Sequence, residues 1–258
     1  MLAMPWRITT PIDAVIFDCD GTLSQIEGID HLAEINNVDS EVRLLTETAM
    51  NLTGITADIY RKRLDLVNPT KDQVDQLDEQ YYANLTPDAA EIISILHNLN
   101  KTVYVISAGI QAAVEAFAKR LGIPTSHVFA VAVYFDGKGR YLNYEHQSPL
   151  TYQLGKRKVI EALRLNHHRF VYVGDGMNDI EAANLAERFI GYGGAYYRSH
   201  LAEMCDYYIK SRTLAPMLPL SLTLEEFERL SQVEKTLYQK GLKQINEGNV
   251  LINRTEFE

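Results

Sequence analysis

Ala14-Val15-Ile16-Phe17-Asp18-Cys19-Asp20-Gly21-Thr22 is the stretch from which the fold is read. Four apolar residues make a buried strand, and the two acids that follow are spaced by two, so both leave the strand on the same side. In an open α/β sheet the carboxyl end of a strand is where ligands bind. Two carboxylates that close repel each other unless a cation lies between them or one of them carries a proton. Read alone, the same stretch is also an ordinary strand entering an Asp-Gly turn.

Three further segments repeat the arrangement. Val103-Tyr104-Val105-Ile106 runs into Ser107-Ala108-Gly109, Gly155-Lys156 opens a helical stretch, and Phe170-Val171-Tyr172-Val173 runs into Gly174-Asp175-Gly176-Met177-Asn178-Asp179. Each has a simple structural explanation: Ser107 as a helix N-cap, Lys156 as a solvated helix start, Asp175-Gly176 as a turn. All four in this order, three of them at strand ends, describe one site. The set resembles the haloacid dehalogenase-like phosphatases and, more narrowly, the phosphoserine phosphatases. The narrower resemblance covers most of Ile12 to about Ser211: Glu27-Gly28-Ile29-Asp30 follows the first motif, Ala49-Met50 and Arg63 fall at the family's spacing, and Phe189-Ile190-Gly191-Tyr192-Gly193-Gly194 matches a late strand and loop. The four motifs belong to the superfamily as a whole. Glu27, Met50 and Arg63 speak for the narrower assignment.

The resemblance implies a Mg²⁺-dependent phosphomonoester hydrolase acting most readily on O-phosphoserine. Asp18 is then the nucleophile that forms an aspartyl-phosphate, and Asp20 protonates the leaving alkoxide before taking a proton from water. Asp18, the backbone carbonyl of Asp20 and Asp175 supply hard oxygen ligands for Mg²⁺. Asp179 and Asn178 lie just outside, holding a metal water or Lys156. Ser107, Ala108 and Gly109 receive the phosphoryl group, and Lys156 offsets negative charge on it and on Asp18. In the cap, Glu27 would accept from a substrate ammonium and Arg63 would bind a carboxylate, with Met50 in the same pocket. Some positions depart from the family. Gly21 stands where Ser is usual, a harmless change; Ala108 and Ile110 replace Gly and Phe; Thr56 replaces Phe, which leads to the expectation of a wider or more polar cap pocket.

Along the chain, strands at Ile12 to Phe17, Thr102 to Ile106, Arg169 to Val173, Phe189 to Gly191 and Tyr207 to Ile209 alternate with helices such as Ala112 to Leu121 and Lys156 to Arg164. That alternation predicts an α/β doubly wound, mostly parallel sheet of Rossmann-like type. Phe129 to Tyr144, with its Asp136-Gly137-Lys138-Gly139 turn, reads as a β-hairpin attached to the sheet. Helical periodicity between Thr22 and Pro87 predicts an insertion after the first strand, which the resemblance makes a four-helix cap. The expected domains are a catalytic core at 1–23 and 88–222, a cap at 24–87 and a C-terminal helical extension at 223–258. In that extension Leu224, Phe227, Leu230, Val233 and Leu237 form an apolar stripe at helical spacing.

The 258 residues suffice for such a core and a second, smaller domain. With 34 acidic against 25 basic residues the net charge is -9, a poor match to nucleic acid. Two cysteines cannot make a disulfide framework, so a reducing cytoplasm is expected, and Cys19, lying between two site-facing acids, should point into packing. No stretch approaches a membrane span and the N-terminus does not resemble a signal peptide, so no membrane partner is expected. Arg61 and Lys62 read as a solvated helix face, and His167-His168 as loop residues without zinc-binding spacing. The partner is a small-molecule phosphomonoester, with self-association left open. Competing functions are hydrolysis of another small phosphorylated metabolite, phosphoryl transfer to an alcohol such as homoserine, and a non-enzymatic binding module using the Thr223 to Leu237 stripe.

Overall fold

The computed structural model describes residues 6–48 and 55–253. Strand β1 (Ala14–Phe17) is buried along its whole length, as expected of a strand flanked by parallel neighbours on both sides. It pairs in parallel with β2 (Thr102–Ile110) on one side and β6 (Phe170–Gly174) on the other. With β3 (Val128–Val131), β7 (Arg188–Tyr192), β8 (Tyr207–Ile209) and β9 (Val250–Ile252), these form a seven-stranded sheet ordered β3-β2-β1-β6-β7-β8-β9. From β1 the chain winds first toward β2 and β3, then returns past β1 to β6. The carboxyl ends of β1 and β6 therefore flank a topological switch point, where an open α/β sheet presents a crevice. Within this sheet every described ladder is parallel except β8 with β9.

Among the described residues, four helices separate β1 from the next core helix: α1 (Gly28–Ile35), α2 (Asp39–Thr48), α3 (Ala57–Val67) and α4 (Lys71–Ala83). Thr70 and Gln73 close a capping box on α4, and the Thr56 hydroxyl caps α3 by accepting from the Ile59 N–H. Chain re-entry to the core is followed by α5 (Ala89–Asn98). Helix α4 leans on α6 (Gln111–Arg120), with the Tyr81 and Phe117 rings 5.4 Å apart. This contact seats the insertion over the carboxyl end of the sheet.

Two expectations from sequence are corrected. The hairpin, β4 (Val133–Phe135) with β5 (Tyr141–Tyr144), is not attached to the main sheet; its strands pair only with each other. Its turn packs instead against the helical insertion, where the Lys71 N–H donates to the Gly139 carbonyl at 2.9 Å and Tyr144 lies 5.1 Å from Tyr60. The preceding β3 does join the sheet. Helix α10 (Met217–Ser221) belongs to the core segment, and the C-terminal extension after it is not purely helical, because beyond α11 (Leu224–Arg229) and α12 (Gln232–Asn246) it returns as the edge strand β9. Nor is its apolar stripe continuous: Leu230 is extended, so α12 starts in a new phase that buries Tyr238, Gly241 and Ile245 and leaves Val233 83% exposed.

Candidate active site

Asp18 follows β1 directly, and its N–H prolongs the ladder by donating to the Val173 carbonyl at 2.9 Å. Its Oδ1 accepts from the Cys19 N–H at 2.7 Å, and its Oδ2 lies 2.7 Å from Nζ of Lys156, the second residue of α7 (Gly155–Leu163). Lys156 is shared: its ammonium also donates to Asp179 Oδ1 at 2.6 Å. Asp179, on the short helix α8 (Met177–Ile180), is further fixed by the Tyr172 hydroxyl and by the Gly176 N–H at 2.9 Å. Its oxygens are fully used. Asp175 differs, since its Oδ1 is buried with no hydrogen-bond partner while Oδ2 lies 3.3 Å from the Arg198 guanidinium.

Oxygen atoms of Asp18, Asp175 and Asp179 fall within 4.8 Å of one another, all buried. Burial holds the Asp18 carboxyl well above its ordinary value even though Lys156 pulls it down, and Asp175 is pushed up to about 6 with Arg198 as the main offset. For Lys156, burial alone would lower the ammonium; Asp179 and then Asp18 outweigh it and hold the charge. Three crowded carboxylates with an orphaned oxygen and one lysine suit a hard divalent cation such as Mg²⁺. This cluster contains Asp179 and not the Asp20 side chain. Both oxygens of Asp179 are engaged, by Lys156, Tyr172 and Gly176, and both of Asp18 by the Cys19 N–H and Lys156, so of the three acids it is Asp175 whose Oδ1 is left without a partner among the described residues.

The Asp20 carboxylate is turned toward the insertion. Oδ1 accepts from the Gly28 N–H at 2.7 Å and the Tyr81 hydroxyl at 2.8 Å, and Oδ2 accepts from the Ser107 hydroxyl at 3.0 Å. Ser107 in turn accepts from the Gly109 N–H at 2.8 Å. A Cβ at Gly109 would lie 2.9 Å from Asp20 Oδ2, so the close approach requires glycine. Gly21 has φ +69, and a Cβ there would lie 2.5 Å from Asp175 Oδ2. The departure from the family's serine is thus a requirement of this geometry. Cys19 joins the hydrophobic core, and burial holds its thiol well above the ordinary range.

The helical insertion closes the site. Asp18 is 3% exposed, and the cavity before it measures about 40 Å³, room for about three waters. Glu27 and Arg63 line this cavity together with Asp18, Asp20 and Lys156. Glu27 Oε1 and Arg63 Nε are buried without hydrogen-bond partners among the described residues, and burial, then Asp20, raises the Glu27 carboxyl well above its ordinary value. Arg63 donates to the Thr46 hydroxyl at 3.3 Å, and Thr46 donates to Asp30 at 2.7 Å. Ala108 and Ile110 line the cavity, but Thr56 does not. The remaining cap lining is Ile29, Tyr60, Leu64, Leu77 and Tyr81, neither wide nor strongly polar, since the Thr56 hydroxyl is spent on capping α3. Asn178 also reaches the cavity, yet its Oδ1 accepts from the Ile55 N–H at 2.8 Å, tying core to cap. Met50 lies outside the described residues.

Tyr81, Tyr172, Thr46 and Arg198 were not legible as site residues. Each is an ordinary strand, helix or loop residue in sequence, and no spacing marks it. Arg61 and Lys62 pair with Asp58 on an exposed face, and His167 shares a 2.9 Å contact with the Tyr104 hydroxyl. Among the described residues no helix is long and apolar enough to cross a membrane.

The haloacid dehalogenase-like hydrolase family model matches residues 12–187. The chain is 37% identical over 199 residues to the phosphoserine phosphatase of Mus musculus, covering 76% of this chain and 88% of that one. Among solved structures it is similar to a phosphoserine phosphatase in a substrate-bound complex and to one carrying a phospho-aspartyl intermediate analogue. Each is 27% identical with TM-score 0.69, over 80% of this chain and 96% of the other. The chain belongs to the haloacid dehalogenase-like hydrolases, in their phosphoserine phosphatase-like branch of phosphoric monoester hydrolases.

Proposed function

We propose that this chain hydrolyses O-phosphoserine through an aspartyl-phosphate on Asp18 and requires Mg²⁺. The observation that carries this reading is a single cavity that joins the Asp18–Lys156 pair to Glu27 and Arg63 of the cap, whose buried Oε1 and Nε have no partner among the described residues. Phosphoryl chemistry needs the former, and a substrate bearing an ammonium and a carboxylate explains the latter.

In the first step an Asp18 oxygen forms a bond to phosphorus as the bond to the serine oxygen breaks, and Asp20 delivers its proton to that oxygen. In the second, water attacks the same phosphorus, Asp20 takes the water's proton, and the Asp18–phosphorus bond breaks to release phosphate. The Gly28 N–H and the Tyr81 and Ser107 hydroxyls fix the Asp20 carboxyl. Lys156, oriented by Asp179, balances charge on Asp18 and the phosphoryl oxygens. Asp18, Asp175 and the Asp20 carbonyl would hold Mg²⁺, which offsets phosphoryl charge when bound. Glu27, Arg63 and Met50 are assigned to the amino acid end. The buried, unpaired Cys19 and Cys205 fit a reducing cytoplasm.

The test is phosphate release from a panel of phosphomonoesters with Mg²⁺ or EDTA, with and without homoserine. O-phosphoserine should lead the panel, and EDTA should abolish turnover. A preferred substrate lacking the amino acid end would remove the serine assignment, and phosphohomoserine as product would make the enzyme a transferase.

A further inference from the structure

The C-terminal extension lies beyond residue 187, where the family match ends, and the catalytic chemistry does not use it. It nevertheless reaches the returning crossing between core and cap through Lys240, while the core loop at 212–214 that leads toward it contacts both crossings. These crossings are zipped together: the Thr86 N–H and hydroxyl donate to the carbonyls of Leu23 at 2.9 Å and Thr22 at 2.6 Å, and the Gln25 N–H donates to the Asn84 carbonyl at 2.8 Å. Thr22, Ser24 and Thr86 are fully buried, so cap motion must work through this pair of segments.

Asp88 stands just after the returning crossing with φ +72, a left-handed conformation that side-chain-bearing residues seldom adopt. Its carboxylate is gripped from the extension side. Lys240 of α12 donates to both oxygens, at 2.9 and 2.7 Å, and the Thr213 hydroxyl donates to Oδ2. The Leu214 N–H donates to the neighbouring Pro87 carbonyl at 3.0 Å. On the outgoing crossing, the Arg212 guanidinium donates to Gln25 at 2.8 Å. Helix α12 is itself immobilised, for a Cβ at Gly241 would lie 2.3 Å from the Ala215 carbonyl oxygen, and the chain beyond it is stitched into the sheet as β9.

Asp18 is buried and the cavity before it holds only about 40 Å³, too little for a phosphomonoester, so substrate reaches it only if the cap moves. We propose that the C-terminal extension, through Lys240 on Asp88, braces the cap hinge and sets how readily the cap opens to admit substrate and release product. The brace is ionic and half-exposed on the lysine side, so it weakens with salt. The inference rests on the cap enclosing the site and not on which phosphomonoester is cleaved.

Hydrogen exchange of the full chain tests it without any substrate, so its failure and failure of the phosphoserine reading are separate results. Lys240→Met should speed exchange in peptides covering Thr86 and Ile55 by about two- to fivefold beyond the factor expected from any loss of global stability in urea. Lys240→Arg should restore the wild-type pattern, and raised salt should mimic the Met variant. Acceleration no greater than the global factor, or failure of Arg to rescue, would overturn the proposal. If Lys240→Met does not fold, Thr213→Val removes the other half of the grip and is read by the same exchange criterion.

Discussion

Asp18 shows how a single residue is shaped by opposing forces: burial raises its carboxyl, Lys156 lowers it, and three neighbouring acids raise it again. Such a group is a reactive oxygen only when positive charge is close. Asp18→Asn keeps the shape but removes the proposed nucleophile, so phosphate release should fall by at least ~10³-fold while circular dichroism stays native. Retained turnover would require a different nucleophile. Arg63 makes the companion case in the cap. Arg63→Ala should cost roughly 30- to 1000-fold in kcat/KM for O-phosphoserine and far less for a phosphomonoester without a carboxylate. Equal losses on the two substrates would mean that Arg63, through Thr46 and Asp30, only supports the cap. The motif residues themselves were readable because strand ends and spacing of two mark them. Tyr81 and Tyr172 were not, because a tyrosine in a helix or strand carries no sign of the carboxylate that its hydroxyl will meet.

At the scale of elements, β1 and the cap helices follow from local pattern, but the partners of each element do not. The hairpin turn at Asp136 to Gly139 is legible from its residues, whereas the surface that receives it, the start of α4, is set by packing. The C-terminal helices make the same point. Leu230 breaks the stripe in two, and α11 is anchored by a fully buried pair, Lys101 with Glu226, in which Lys101 also donates to the Ile12 carbonyl at 2.9 Å. Removing one member of such a pair leaves the other charged and desolvated. Lys101→Met should therefore lower unfolding free energy by about 3–5 kcal/mol, and adding Glu226→Leu should recover much of it. Urea unfolding of the single and double variants measures both. Losses that simply add would show that the two side chains are not coupled.

For the molecule as a whole, a chain of net charge -9 folds several of its acids into one buried site. Asp175 is raised to about 6 and Asp18 is raised well above its ordinary value, both chiefly by burial. A carboxyl whose pKa is higher folded than unfolded takes up a proton on folding, so from about pH 4 to pH 6 its contribution to stability falls as pH rises. If the proposed site holds Mg²⁺, the ion would oppose that loss by binding the ionised form. In EDTA, the melting temperature of wild type should drop between about pH 4 and pH 6 more than that of Asp175→Asn, and Mg²⁺ should raise it more at the higher pH. A Mg²⁺ shift independent of pH would place the ion elsewhere.

The sequence by itself determined the sheet type, the helical insertion and the identity of the core acids, because each is written in local periodicity or in residues two to four apart. Tertiary structure alone decided which acid faces which partner. Asp20 turns to the cap and Asp179 to Lys156, while Asp175 Oδ1 has no partner among the described residues; these choices depend on Gly28 and Tyr172, 8 and 7 residues away, and on Tyr81 and Arg198, 61 and 23 residues away, being folded against the acids. The role of the C-terminal segment was likewise fixed only in three dimensions. Its grip on Asp88 joins residues 152 apart in sequence, a separation at which no local pattern survives and only close packing selects the contact.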